Sequence, residues 1–194
     1  MIHYSPLVYL DVIRQEHLPI YHAWRNDPLI HRWTRQSDLI SWDSHWSWHY
    51  ELSKRPDVKF YAIHSPSIDY PEDHPVGMTG FSSIDSLNRR AEFSLYIGPE
   101  YQKKGYGREA LKSLLQHGFY ALGLNCIWGE TFDQNPAMGL FVSLGMKKEG
   151  TRRQFYYRNG KFIDAHLVSI LREEWDSGVG KTLQWNELCV GSHT

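Results

Sequence analysis

Between Glu92 and Arg108 an alternating stretch, Glu92-Phe93-Ser94-Leu95-Tyr96-Ile97, passes through Gly98-Pro99 into Gln102-Lys103-Lys104-Gly105-Tyr106-Gly107. Directly after it, Ala110, Leu111, Leu114, Leu115, Gly118 and Phe119 recur at helical spacing, one apolar stripe of an amphipathic helix. The order is therefore strand, short turn, helix. The first amides of that helix have no partner within it, and the macrodipole favours an anion in front of them. Glycines at 105 and 107 let such an anion approach the backbone without a Cβ in the way. Lys103, Lys104 and Arg108 place positive charge beside it. The spacing excludes a dinucleotide fingerprint, which needs a third glycine, and it excludes a Walker loop. An ordinary strand-to-helix turn that uses glycines for geometry satisfies the same residues.

The rest of the chain reads as an α/β layer around a mixed, largely antiparallel sheet flanked by helices. Leu7 to Leu10 starts a strand, residues 15 to 24 a helix that ends near Pro28, and Ser41 caps a helix from Trp42 to about Lys54. On that helix Trp42 and Trp46, with His49 or Tyr50, share one face, and His45, Trp48 and Leu52 a neighbouring one. Most of these rings are expected to pack the helix on the sheet. Further strands are expected at 60–63, 76–82, 91–97 and 126–132, with a variable surface loop at 65–75. A helix follows Asn135-Pro136 and ends at Gly145. Two closing strands, Gln154 to Arg158 and His166 to Leu171, are joined by the hairpin signal Asn159-Gly160. The division expected is one domain over 1–175 and a polar tail over 176–194.

A chain of 194 residues with a formal net charge of -1 and pI near 6.8 is not built as a dedicated nucleic-acid binder. No apolar run approaches the ~18 residues that span a bilayer, and the first residues carry no signal-peptide pattern. The expectation is a cytoplasmic protein with no membrane or nucleic-acid partner. Cys126 and Cys189 are framed by no ligand spacing and read as ordinary thiols. His45 and His49 stand at i, i+4, but Trp46 replaces the glutamate of a zinc-protease motif, so no metal is expected. Ser177-Gly178-Val179-Gly180-Lys181-Thr182 imitates the end of a Walker loop without its first glycine.

The motif Gln102-x-x-Gly105-x-Gly107 after Leu95-Tyr96-Ile97 resembles the signature of the GNAT superfamily of acyl-CoA N-acyltransferases. Asn135 to Met146 is similar to that superfamily's next helix, and Arg158 to Asp164 with Leu171 to Trp175 is similar to its closing hairpin in a branch of ribosomal-protein and sugar-amine acetyltransferases. Trp24-Arg25-Asn26 with His45 resembles the N-terminal part of nucleotide-sugar amine acetyltransferases. The resemblance implies acetyl-CoA as co-substrate. Its pyrophosphate would lie on the backbone of Gln102, Lys103, Lys104, Gly105, Tyr106, Gly107 and Arg108, with its pantetheine arm along Leu95 to Ile97 and with Asn135 and Phe141 beside it. The backbone there would polarise the thioester carbonyl.

The attacking amine must be neutral, so a base is needed. Glu92 matches a position near the acceptor and shares its strand face with Ser94 and Tyr96. Glu130 on the next strand is the reserve. Many members protonate the leaving thiolate with a tyrosine where this chain has Phe141, in a segment one residue short. Tyr96 or a water then takes that role, or the thiolate leaves unprotonated, which a thiol pKa of ~8–9 tolerates. The acceptor implied is an amino sugar, on a nucleotide or free, held near Arg25 and His45. The alternatives are a protein N-terminus, a polyamine, which would need an acidic groove, and a catalytically idle CoA-binding module. The partner expected is a small-molecule amine, with a homodimer admitted. The basic residues Arg152, Arg153 and Arg158 read as a solvated strand face or as neighbours of the CoA 3′-phosphate or an acidic acceptor.

Overall fold

A computed structural model describes residues 5–66 and 74–182. Seven strands form one sheet in the order β1-β2-β3-β4-β5-β7-β6: β1 (Tyr9–Asp11), β2 (Lys59–His64), β3 (Pro75–Asp85), β4 (Arg90–Ile97), β5 (Cys126–Phe132), β6 (Lys147–Arg158) and β7 (Lys161–Leu171). Every pairing is antiparallel except β4 with β5. The mixed, largely antiparallel sheet is the one the sequence implies.

Among the described residues six α-helices flank it: α1 (Leu18–Asn26), α2 (Pro28–His31), α3 (Trp42–Leu52), α4 (Tyr106–Gln116), α5 (Ala137–Ser143) and α6 (Arg172–Ser177). Leu111, Leu114, Leu115 and Phe119 are fully buried in the main core, so the apolar stripe does what its spacing dictates. α4 ends in a π turn, His117–Ala121, and Gly123 at φ 65° closes it. Pro28 ends α1 and also opens α2, with the Asp27 side chain capping Leu29 N–H at 2.7 Å.

Three expectations change. The closing strands are longer than their apolar cores, because bulges at 148–150 and 152–156 let β6 stay paired through polar residues. The boundary placed at Trp175 falls inside α6, and Trp175 is fully buried, against Phe119; the Walker-like segment is the end of α6 and a 3₁₀ turn. On α3, Trp48 packs on Phe60 of β2, whereas Trp42, Trp46 and Tyr50 are exposed. The buried face of that helix is the one carrying His45. Cys126 is a free thiol in β5. Cys189 and residues 67–73 of the expected surface loop lie outside the described residues.

Candidate active site

The site forms where the two parallel strands part. β4 and β5 are registered only at Arg90↔Cys126, Ala91↔Ile127 and Glu92↔Trp128. Beyond Glu92, β4 continues to Ile97 paired with β3, and β5 continues to Phe132 paired with β7. The result is a wedge with a strand edge on each side, open to a pairing partner such as an extended amide chain.

At the open end of β4 the chain makes a 3₁₀ turn, Pro99–Tyr101, and then enters α4. Trp24 of α1 props this turn: its ring lies against Gly98, where a Cβ would fall 2.5 Å from it, and its Nε1 donates to Glu100 at 3.2 Å. Gln102 donates from Nε2 to the Ile97 carbonyl at 3.1 Å, tying the loop back to the strand end. Lys103 stands at φ 62° and Gly105 at φ 88°. Gly105 is the N-cap of α4 and offers no side-chain cap. The first helical bonds run from Arg108 N–H and Glu109 N–H to the Gly105 carbonyl, so the amides of Tyr106 and Gly107 precede them at the positive end of the helix.

The glycines differ in role. Gly105 needs the left-handed backbone. At Gly107 a Cβ would meet Ile97, Leu140 and Leu95 at 3.5–3.9 Å, ordinary contact at the mouth of the wedge. Lys103 and Arg108 are exposed beside the loop, Arg108 donating to Ser143 Oγ at 2.5 Å. The Lys104 ammonium lies over Tyr101. The Tyr106 side chain is buried, so its backbone alone faces the loop. Asn135 caps α5 through Ala137 N–H at 3.0 Å. Phe141 is buried edge-on against Phe93, 5.1 Å between centroids; it is wall, not a proton donor.

The opposite face of the wedge carries the polar groups. Glu92 is buried, its side chain 8% exposed, and an oxygen receives the Arg35 guanidinium at 2.6 Å. Glu130, its side chain 2% exposed, takes Arg152 at 2.7 Å and the Tyr156 hydroxyl at 2.5 Å. Glu130 lies two residues beyond Trp128, the register partner of Glu92, ~7 Å along the strand and on the same face. Arg158 stacks over Phe132 and Tyr156 and donates to the Arg35 carbonyl. Of the basic strand face, Arg152 thus pairs with an acid and Arg158 lies beside the Arg35 that holds the other. No motif marked Arg35, which sits in an aperiodic loop.

Farther along β4, the Tyr96 hydroxyl donates to Met78 Sδ at 3.7 Å. Burial pushes its pKa well above the usual phenol value, with the Arg25 charge opposing the rise. Arg25 bonds Gln36 at 3.3 Å and lies over Trp48. His45 stacks on Trp48, 5.4 Å between centroids. Burial first, then the charges of Arg25 and His22, lowers its pKa to about 4. Arg25 and His45 do come together beside an aromatic ring. His45 is 1% exposed, its ring packed among His22, Trp42 and Trp48. Asn26 clamps Ile40 from both its amide atoms, at 2.8 and 2.9 Å. Trp24-Arg25-Asn26 therefore organises the fold around the site.

The sequence and the fold of this chain are matched in known proteins. The acetyltransferase (GNAT) domain profile matches residues 8–147. The chain belongs to the GNAT acetyltransferase family. An uncharacterized N-acetyltransferase of Bacillus licheniformis, p20, is 36% identical over 104 residues, 53% of this chain and 58% of that protein. A spermidine N(1)-acetyltransferase of Vibrio cholerae is 30% identical over 101 residues, 52% and 58% of the two chains. The chain spans about half the length of the curated relatives it matches. A crystal structure of spermidine N-acetyltransferase from Vibrio cholerae with CoA and spermine superposes with a TM-score of 0.81 at 22% identity, covering 88% of this chain and 99% of that one. That likeness establishes the GNAT fold. Among the described residues no group of three or more His, Cys, Asp or Glu is placed to hold a metal, and no helix is long and apolar enough to cross a membrane.

Proposed function

We propose that this GNAT domain transfers the acetyl group of acetyl-CoA to a primary amine on a polycationic, polyamine-like acceptor. The observation that carries the acceptor class is the pair of carboxylates, Glu92 and Glu130, buried on one face of the parted strands. Each is paired with an arginine of the chain, so a group that takes that arginine's place must itself be a cation to compensate the buried charge. The spermidine acetyltransferases among the relatives support the same reading.

On this reading the pyrophosphate rests on the amides of residues 103–108, with Lys103 and Arg108 adding charge. The pantetheine amides pair along Leu95 to Ile97 in the wedge, between the side chains that Gly107 leaves room for. Glu92 takes the proton of the bound ammonium, directly or through one water, and the freed amine attacks the thioester carbonyl. Collapse of the tetrahedral intermediate breaks the C–S bond. Tyr96, which burial keeps protonated, donates its proton to the departing thiolate and is restored through water by one of the two protons left on the amine nitrogen. The other stays in the product amide, and the proton on Glu92 passes to solvent.

The amino-sugar acceptor keeps one supporting feature, Arg25 over the Trp48 ring, and loses the other to the burial of His45. Thiol release from acetyl-CoA, followed with spermidine, spermine and an amino sugar in parallel, tests the acceptor. Saturable release with the polyamines is expected. Release with the amino sugar alone would reverse the assignment.

A further inference from the structure

The carboxylate assigned to the acceptor is already occupied by a cation of the chain itself. Arg35 lies in the loop between α2 and α3, its side chain 52% exposed, yet its guanidinium reaches 2.6 Å from the buried Glu92. The other Glu92 oxygen accepts from Ser82 Oγ at 3.5 Å, the outer limit of a hydrogen bond. The loop is fastened at both ends and in its middle: Asn26 holds Ile40, Thr34 Oγ1 donates to the His31 carbonyl at 2.9 Å, and Arg158 holds the Arg35 carbonyl. The Arg35 charge also acts on Tyr156, whose hydroxyl donates to Glu130. Glu130 repeats the pattern, with Arg152, 44% exposed, over a carboxylate 2% exposed.

We infer that Arg35 is a built-in competitor for the acceptor, a guanidinium that fills the ammonium subsite of Glu92 until a cationic amine displaces it. This rests on the acceptor reading above. A buried carboxylate stripped of its partner is strongly unfavourable, so Arg35 leaves readily only when another cation arrives. Loop opening is thereby coupled to the charge of the incoming molecule, and neutral amines are disfavoured. The competition also weakens every cationic acceptor by the fraction of molecules in which Glu92 is free. Arg35 is a specificity-determining residue whose removal strengthens binding, the reverse of what a substrate-contacting residue does.

The test is spermidine binding by calorimetry in the presence of CoA, on the full chain and on Arg35→Ala, Arg32→Ala and the double variant Arg35→Ala/Glu92→Gln. Arg35 and Arg32 both carry one positive charge on the same loop; Arg32 lies over Trp33 instead. Arg35→Ala is expected to tighten binding about tenfold, the gain for a subsite filled roughly nine-tenths of the time. Arg32→Ala is expected to leave binding unchanged, and the double variant to lose the gain. Equal or weaker binding by Arg35→Ala, or equal tightening by Arg32→Ala, overturns the inference while leaving the acceptor class intact. If neither the wild type nor Arg35→Ala binds spermidine although both bind CoA, the acceptor reading falls, and the competitor role with it.

Discussion

On the proposed mechanism Glu92 and Tyr96 divide the chemistry between two ends of one strand face, ~13 Å apart along the backbone, and each can be tested separately. Glu92→Gln keeps shape and removes the base. Its kcat is expected to fall about 100-fold, with CoA affinity unchanged by calorimetry; an unchanged kcat would take the base away from Glu92. Tyr96→Phe removes only a hydroxyl that contacts Met78 Sδ, so the fold is expected to persist. Its kcat should drop roughly tenfold with acetyl-CoA and less with an acyl donor whose thiol is more acidic, since a better leaving group needs less protonation. An equal loss with both donors would mean Tyr96 acts by position alone. That Glu92 and Tyr96 share a face was legible because alternation along a strand assigns faces. Arg35 was not, because a loop side chain meets its partner only after α2 and α3 are placed.

At the level of elements, the most informative join is the one between β4 and α4. Gly105 at φ 88° sets the direction of the helix amides. Gly105→Ala forces a Cβ into the left-handed region, at ~1–2 kcal/mol, and brings it 3.2 Å from Leu7. The expected outcome is weaker CoA binding, several-fold by calorimetry, with the acceptor KM unchanged; a CoA affinity equal to wild type would place the pyrophosphate elsewhere. The strand and helix around this join could be read from local periodicity, and β5 was placed to the residue. The parting of β4 from β5 could not. It depends on where a parallel pairing stops, and no local pattern in either strand encodes that. α3 was legible as a helix through its Ser41 cap, but not in orientation: its tryptophans outweigh His45 in any hydrophobic pattern, yet the helix buries His45 and leaves Trp42 and Trp46 outside.

Across the whole molecule, burying neutral histidines makes the fold sensitive to mild acid. His45 and His117 both have pKa values lowered to about 4, by burial first and by nearby positive charges second. In the unfolded chain each takes up a proton near pH 6.5, so between 6.5 and 4 the unfolded state binds more protons and stability falls as pH falls. For His45 alone this amounts to about 2 kcal/mol between pH 7 and pH 5. Urea unfolding at the two pH values should show that loss in the wild type and a smaller one in His45→Phe; an identical difference in both would remove His45 from the acid response.

The central claim is that the wedge holds acetyl-CoA with its thioester beside an acidic acceptor subsite. Its most direct test is thiol release from acetyl-CoA by the full chain as spermidine is titrated in. Saturable release that falls about 100-fold in Glu92→Gln, with CoA binding retained, is the predicted result. Tight CoA binding without thiol release, from spermidine or any other amine, would contradict it and leave a CoA-binding module without transfer chemistry.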